Sequence, residues 1–170
     1  MVGGGCRGLR LARTLVAEGH AVRAVTRSQA RRAQIEDAGC ECWIGDPDRI
    51  GSLRYALDNV TVLLWLLGTA TGPNVEALHT TRLRMMLDKV TDTTVRAVLY
   101  EAAGTVDPAA LEAGAAELAL AQTLNEIPGA VLEADPRDVG AWVAGARDAI
   151  EHLLTVDRRS ARLAPQREIP

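Results

Sequence analysis

The chain has 170 residues, of which 48% are hydrophobic and 24% charged, and its net charge is −3. This length is enough for one domain with a buried core, and the weakly acidic balance gives no basis for a nucleic-acid partner. The longest apolar run, residues 60–67, is too short to span a bilayer, so we expect no membrane partner.

The cysteines Cys6, Cys40 and Cys42 favour a reducing compartment. Their number is odd and we recognise no secretory leader, so we expect reduced thiols and a cytoplasmic location. Cys40-x-Cys42 has no second cysteine pair and no nearby histidine, so we predict no metal site.

The first structural feature is a glycine-rich turn followed directly by an amphipathic helix. Gly3, Gly5 and Gly8 fit the pattern G-x-G-x-x-G, and Cys6 and Arg7 stand between the last two glycines. Such a turn lets backbone N–H groups approach a pyrophosphate at a helix N-terminus, where the helix dipole favours negative charge. We therefore predict that these five residues bind a dinucleotide.

The predicted first strand is short, because only Met1 and Val2 precede Gly3. An interior strand cannot be omitted without leaving backbone groups of its neighbours unpaired, so we expect the native chain to begin upstream of Met1. The helix after the turn is predicted to end at Gly19, and residues 21–25 predict the second strand.

Strands and helices alternate over the rest of the chain. Further strands are predicted at residues 41–44, 60–67, 95–100 and 130–134. Helices are predicted at residues 29–37 and 74–90, and others begin after Asp46-Pro47, at Pro108 and after the N-cap Asp138. The helix from Pro108 is expected to face inward with Leu111, Ala115, Leu118 and Leu124. This alternation predicts an α/β protein with a doubly wound parallel sheet, Rossmann-like, in the order 3-2-1-4-5-6, as a single three-layer domain. We assign residues 1–156 to this domain and residues 157–170 to a loosely ordered tail.

The end of the second strand, Thr26-Arg27, indicates which coenzyme binds. An acidic residue there would accept hydrogen bonds from the ribose hydroxyls of NAD, whereas a guanidinium can bind a 2′-phosphate bidentately. We therefore predict NADP rather than NAD, with Arg7 as a second candidate for the same phosphate. Arg31 and Arg32, just beyond, are more typical of helix-surface charges.

Two further strand ends complete the predicted crevice. Asp46 follows the third strand and could either contact adenine or only cap a helix. Leu67, Gly68 and Thr69 end the fourth strand, where the backbone is expected near the ribose and nicotinamide half of the coenzyme; Gly68 could instead simply permit a turn.

These motifs resemble the extended or atypical branch of the short-chain dehydrogenase/reductase superfamily. The resemblance rests on the glycine turn, Thr26-Arg27, Gly45-Asp46, the strand end at 67–68 and residues 127–132, and it covers nearly the whole chain. It implies NAD(P) bound across the carboxyl edge of the sheet, with adenine near Asp46 and nicotinamide near Gly68.

The chain departs from that superfamily in its catalytic residues. The family usually carries Tyr-x-x-x-Lys, but neither Tyr55 nor Tyr100 has a lysine four residues later, and Glu101 follows the fifth strand where the family often has serine. A buried carboxylate can act as an acid or base, so the candidate catalytic residues are Glu101, Tyr100 and Asp135. Asp135 is also typical of a turn, since Pro136 follows it.

Several functions fit these residues. We favour a short-chain dehydrogenase-like oxidoreductase of non-standard mechanism, acting on a small molecule that the sequence does not identify. A non-catalytic nucleotide-sensing or regulatory module, and a fold in which the glycine turn is only structural, are the alternatives. The helices at 74–90 and 108–125 offer surfaces for a homodimer.

Overall fold

A six-stranded parallel sheet organises the chain, and its order is β3-β2-β1-β4-β5-β6, as predicted from the sequence. The computed structural model describes residues 1–155; the predicted domain end at 156 and the tail at 157–170 lie outside them. The strands are β1 (Val2–Gly3), β2 (Arg23–Thr26), β3 (Glu41–Ile44), β4 (Val62–Leu66), β5 (Ala97–Glu101) and β6 (Gly129–Leu132).

Helices cover both faces of the sheet. They are α1 (Gly5–Ala17), α2 (Arg32–Glu36), α3 (Val75–His79), α4 (Thr81–Val90), α5 (Pro108–Asn125) and α6 (Val139–Thr155). In β4, Leu64 and Leu66 pack with α1 and α6 on one face, whereas Leu63 and Trp65 pack with α4 and α5 on the other. A strand that is apolar on both faces is typical of the centre of a parallel sheet, and this one forms the middle of a three-layer domain.

Helix ends follow the predicted signals. Gly19, at φ +92°, follows Glu18, the C-cap of α1. The Asp107 carboxylate accepts a hydrogen bond from the amide of Ala109 at 2.9 Å and caps α5, and the Asp138 carboxylate accepts one from Ala141 at 3.0 Å and caps α6. These caps fix where each helix leaves the sheet.

The helix predicted at 74–90 is wrong as a single element, because it breaks at Thr80. The backbone there has φ −118° and ψ −97°, outside the helical region, and separates α3 from α4. His79, immediately before the break, is fully buried and contacts Tyr100. The break therefore lets α3 point a ring into the core while α4 keeps its own apolar face on the sheet.

Three other details differ from expectation. The helix predicted at 29–37 begins as a 3₁₀ turn, Gln29–Arg31, before the short α2. The segment after Asp46 forms a 3₁₀ helix, Ile50–Leu57, which buries Ile50, Leu53 and Leu57 but starts too late for Asp46 to cap it. Leu124 is 70% exposed, because the buried face of α5 ends at Ala121.

Candidate coenzyme-binding site

The glycine turn brings the start of α1 against the end of β4. Gly3 and Gly4 both have φ of +84°, and the Gly4 amide donates to the Leu66 carbonyl at 2.7 Å. A Cβ on Gly3 would lie 2.2 Å from that carbonyl oxygen, and one on Gly8 would lie 2.9 Å from the Gly3 carbonyl oxygen. Backbone contact this close leaves no room for side chains.

The first turn of α1 is open to an anion. Its N-cap, Gly4, has no side chain to satisfy the amides that follow, and no acidic residue lies in the first turn. Gly5 and Cys6 are exposed there. Uncapped amides at a helix N-terminus bind phosphate oxygens well, so this turn fits the pyrophosphate of a dinucleotide. The sequence pattern did not single out Gly4, although its left-handed backbone is part of the same turn.

Arg7 turns inward from the glycine turn. Its Nη2 donates to Thr69 Oγ1 at 3.0 Å and lies 3.3 Å from Glu101 Oε1, and its guanidinium lies 5.1 Å from the centre of the Trp142 ring. The side chain is only 17% exposed, and its buried Nε has no partner within the described residues. The contact of Arg7 with a coenzyme phosphate stays a prediction. The partners observed for Arg7 are the protein groups Thr69, Glu101 and Trp142.

Glu101 is fully buried at the end of β5. Besides Arg7, it accepts hydrogen bonds from the Gly68 amide at 2.7 Å and from Trp142 Nε1 at 2.7 Å. Both carboxylate oxygens therefore accept hydrogen bonds from protein donors, which is typical of a carboxylate with a structural role. The sequence does not indicate this contact of Trp142, because nothing in a helical pattern shows where an indole N–H will reach.

The end of β4 packs tightly against the segment after β5. A Cβ on Gly68 would lie 2.2 Å from the Ala103 carbonyl oxygen. The close approach of these two backbone segments therefore requires glycine at this position. Leu67 is buried and Thr69 is half-buried, with its hydroxyl held by Arg7. The predicted nicotinamide end is thus joined to the glycine turn through one side chain.

The end of β2 is built differently. Thr26 is buried, and its hydroxyl accepts a hydrogen bond from the Ser28 amide at 3.2 Å, whereas Arg27 is exposed. Within residues 1–155 the Arg27 side chain takes part in no hydrogen bond or ion pair. Next to it, the half-buried Asp46 accepts a hydrogen bond from the Asp48 amide at 3.1 Å, so its carboxylate shapes a turn after β3.

Tyr100 and Asp135 are not brought together with Glu101 in an open site. Tyr100 is fully buried; its hydroxyl donates to the Leu111 carbonyl at 3.1 Å and lies 2.7 Å from His79 Nδ1. Burial, then the nearby Glu101 charge, raise the Tyr100 pKa well above its usual value. Asp135 is exposed, and the Arg137 side chain beside it lowers its pKa. Catalytic roles for these residues stay predictions.

His79 is a buried group whose position the sequence did not indicate. Burial lowers the pKa of its imidazole, and the backbone of Leu67 opposes that shift without prevailing. No group of three His, Cys, Asp or Glu residues in the described part of the chain could hold a metal ion. No helix within residues 1–155 is long and apolar enough to cross a bilayer.

Comparison with known proteins gave a family match and several structural neighbours. A family model described as NAD(P)H-binding matches residues 3–154. A search of curated proteins found no match.

The structural neighbours share the fold at low sequence identity. Triphenylmethane reductase from Citrobacter sp., complexed with NADP(H), has a TM-score of 0.59 and 20% identity, over 78% of this chain and 48% of that one. A short-chain dehydrogenase/reductase superfamily protein from Agrobacterium tumefaciens, with bound NAD, has a TM-score of 0.62 and 17% identity, over 78% and 47%. UDP-glucuronic acid 4-epimerase from Bacillus cereus, in complex with NAD, has a TM-score of 0.60 and 12% identity, over 78% and 54%. The chain spans about half the length of these proteins.

Proposed function

We propose, from the premise that the chain belongs to the NAD(P)H-binding family, that it binds NADP(H) in preference to NAD(H). The observation that carries this is the exposed Arg27 directly after β2, whose guanidinium has no hydrogen bond or ion pair within residues 1–155. In this fold the end of the second strand reads the 2′ position of the adenosine ribose. Arg27 is one of the charges that lower the pKa of Asp48, but that carboxylate is paired with Arg82 and Asn74. An exposed guanidinium without a hydrogen bond favours a phosphate over a hydroxyl.

The remaining contacts follow the shape of the crevice. We assign the pyrophosphate to the uncapped amides of residues 5–7, and the close packing at Gly3 and Gly8 gives it room to approach the backbone. Adenine would lie near Asp46, and the nicotinamide half near Gly68 and Thr69. When bound, NADPH would supply a hydride, and the residues of this chain would hold and orient the coenzyme.

Calorimetric titration of NADPH, NADP, NADH and NAD tests the preference. We expect Arg27→Asp to weaken NADPH binding by about tenfold or more, about 1.4 kcal/mol, because the 2′-phosphate loses a guanidinium and meets a like charge. NADH binding should stay the same or tighten, because a carboxylate there can accept hydrogen bonds from the ribose hydroxyls. Arg96→Asp is the matched control, since Arg96 is equally exposed but precedes β5 at the opposite edge of the sheet. An unchanged ratio of the two affinities in Arg27→Asp would contradict the assignment.

A reductase-like activity and a regulatory role remain two candidate uses of the bound coenzyme. We favour a short-chain dehydrogenase-like protein that acts on a small molecule without Tyr-x-x-x-Lys. Burial of Tyr100 and Glu101 favours the non-catalytic, nucleotide-sensing alternative, because neither side chain is open to a substrate. A carbonyl-compound screen that follows NADPH absorbance separates the two: tight binding without turnover supports the sensor.

A homodimer is supported by apolar residues on α4 and α5. Met85 is 47% exposed, Leu120 50% and Leu124 70%, and all three lie on the two helices proposed as the contact surface. Single exposed apolar residues are common on monomers, so the proposal depends on these three acting as one patch. Light scattering tests it, and a monomeric mass at high concentration would rule it out.

A further inference from the structure

We propose that Glu101 is a positioning residue of the coenzyme site, whose buried carboxylate fixes the glycine turn and the end of β4 at one spacing through Arg7 and Gly68. This inference rests on the coenzyme binding proposed above. It gives Glu101 a role that needs no contact with a substrate.

Glu101 joins three segments that are far apart in the sequence. Its Oε2 accepts the Gly68 amide at 2.7 Å, which holds the end of β4, and its Oε1 accepts Trp142 Nε1 at 2.7 Å, which holds α6. Arg7 Nη2, 3.3 Å from Oε1, adds the first turn of α1. One carboxylate therefore connects both ends of the predicted coenzyme crevice to the helix behind them.

The charge of Glu101 keeps Arg7 inward. A buried carboxylate needs its counter-charge nearby, because an uncompensated charge in the interior is strongly destabilising. Arg7 is also held by Thr69 and by the face of the Trp142 ring, so its guanidinium has partners on three sides. Turning Arg7 outward to a phosphate would break all of these contacts, so we assign its charge to Glu101.

This arrangement affects both coenzymes equally. The glycine turn and the end of β4 face the pyrophosphate and the nicotinamide half, which NADPH and NADH share, whereas only Arg27 faces the 2′ position that distinguishes them. A change in the spacing of these two segments therefore alters the affinities for NADPH and NADH by the same factor. A direct contact of Arg7 with the 2′-phosphate would instead alter their ratio.

The decisive variant is Glu101→Gln, which keeps the shape of the side chain, removes its charge and, because an amide nitrogen cannot accept a hydrogen bond, also leaves at least one of the donors of Glu101 without its acceptor. We expect the Kd values of NADPH and NADH, measured by calorimetry, to rise together by about tenfold. If Arg7 were instead a ligand of the 2′-phosphate, releasing it from Glu101 would tighten NADPH binding or change NADPH binding alone. Either of those results would overturn the proposal.

Hydrogen exchange without coenzyme gives a second readout. Glu101→Gln should speed the exchange of the amides of residues 3–8 and 67–70, while Leu83→Ala, which removes a buried side chain of α4, should lower the melting temperature without that local change. Arg7→Met should also raise both Kd values, and it should destabilise the fold more than Glu101→Gln does, because it leaves the buried Glu101 without a counter-charge. Arg7→Lys should recover part of the affinity because it restores the charge. If Glu101→Gln does not fold, Arg7→Lys carries the test: its affinities for NADPH and for NADH should both lie between those of wild type and Arg7→Met, at an unchanged ratio, and a change in that ratio would overturn the proposal.

The outcomes separate this inference from the proposed function. If the wild type binds coenzyme and Glu101→Gln binds it equally well with unchanged exchange, positioning by Glu101 is wrong and coenzyme binding stands. If the wild type binds no pyridine nucleotide, the proposed function fails, and this inference fails with it.

Discussion

The two halves of the crevice are held in opposite ways. The glycine turn and the ends of β4 and β5 are fixed by backbone contacts at van der Waals limits and by a buried ion pair, Arg7–Glu101. The end of β2 carries an exposed guanidinium, Arg27, which no hydrogen bond or ion pair from residues 1–155 restrains. The rigid half would act on NADPH and NADH alike, whereas the exposed Arg27 is the side chain that we propose distinguishes them.

The largest effect is expected in the rigid half, from Gly3→Ala. A Cβ at Gly3 would lie 2.2 Å from the Leu66 carbonyl oxygen, and the residue has φ +84°, so backbone must move. We expect a loss of about 3 kcal/mol in the free energy of unfolding, measured with urea, together with the loss of coenzyme binding.

Gly51→Ala is the control for that substitution. A Cβ there meets nothing within 4 Å, and Gly51 is not among the glycines with positive φ. We expect its stability to stay within about 0.5 kcal/mol of wild type. Equal effects at both positions would mean that the turn does not depend on close approach.

A smaller loss is expected from Trp142→Phe, which keeps a ring over Arg7 but removes the N–H donated to Glu101 at 2.7 Å. Hydrogen bonds to charged groups contribute more than neutral ones, so we expect about 2 kcal/mol less stability in urea. Trp43→Phe is the matched control, because Trp43 Nε1 donates at 3.0 Å to the neutral Ser52 carbonyl at the surface. It should cost about 1 kcal/mol or less. A smaller loss at Trp142 than at Trp43 would contradict the importance of the buried carboxylate.

The same contrast explains what the sequence could predict. The glycine turn follows from residue spacing, since only glycine permits its backbone, and the sheet order follows from alternating strands and helices. The caps Asp107 and Asp138 are also local signals. These features depend on neighbours within a few positions along the chain.

The side-chain contacts of the rigid half could not be predicted in the same way. Arg7, Glu101 and Trp142 lie 94 and 41 positions apart in the chain, and their hydrogen bonds depend on how two strands and two helices pack. The break at Thr80 likewise depends on the contact of His79 with Tyr100, whereas the pattern of residues 74–90 is that of one continuous helix. Long-range polar contacts between side chains leave no periodic signal in a sequence.

The smallest effect expected is a pH dependence of the free energy of unfolding that arises from the buried imidazole of His79. Burial is the main cause of the lowered pKa of His79, which is 6.5 in an unperturbed histidine. Because the folded-state pKa lies below the unfolded one, the unfolded state binds more protons, and the stabilisation present above pH 6.5 is lost as the pH falls. Tyr100, beside it, has a raised pKa and stays protonated throughout.

Urea unfolding at several pH values measures this loss. Between about pH 7 and pH 6 the wild type should lose at most about 0.7 kcal/mol through His79, and His79→Gln should remove that part of the loss. His152→Gln, on the exposed face of α6, is the control and should keep the wild-type profile. If His79→Gln and wild type lose stability in parallel, His79 is protonated equally easily in the folded and unfolded states. The predicted pH dependence at His79 would then be wrong.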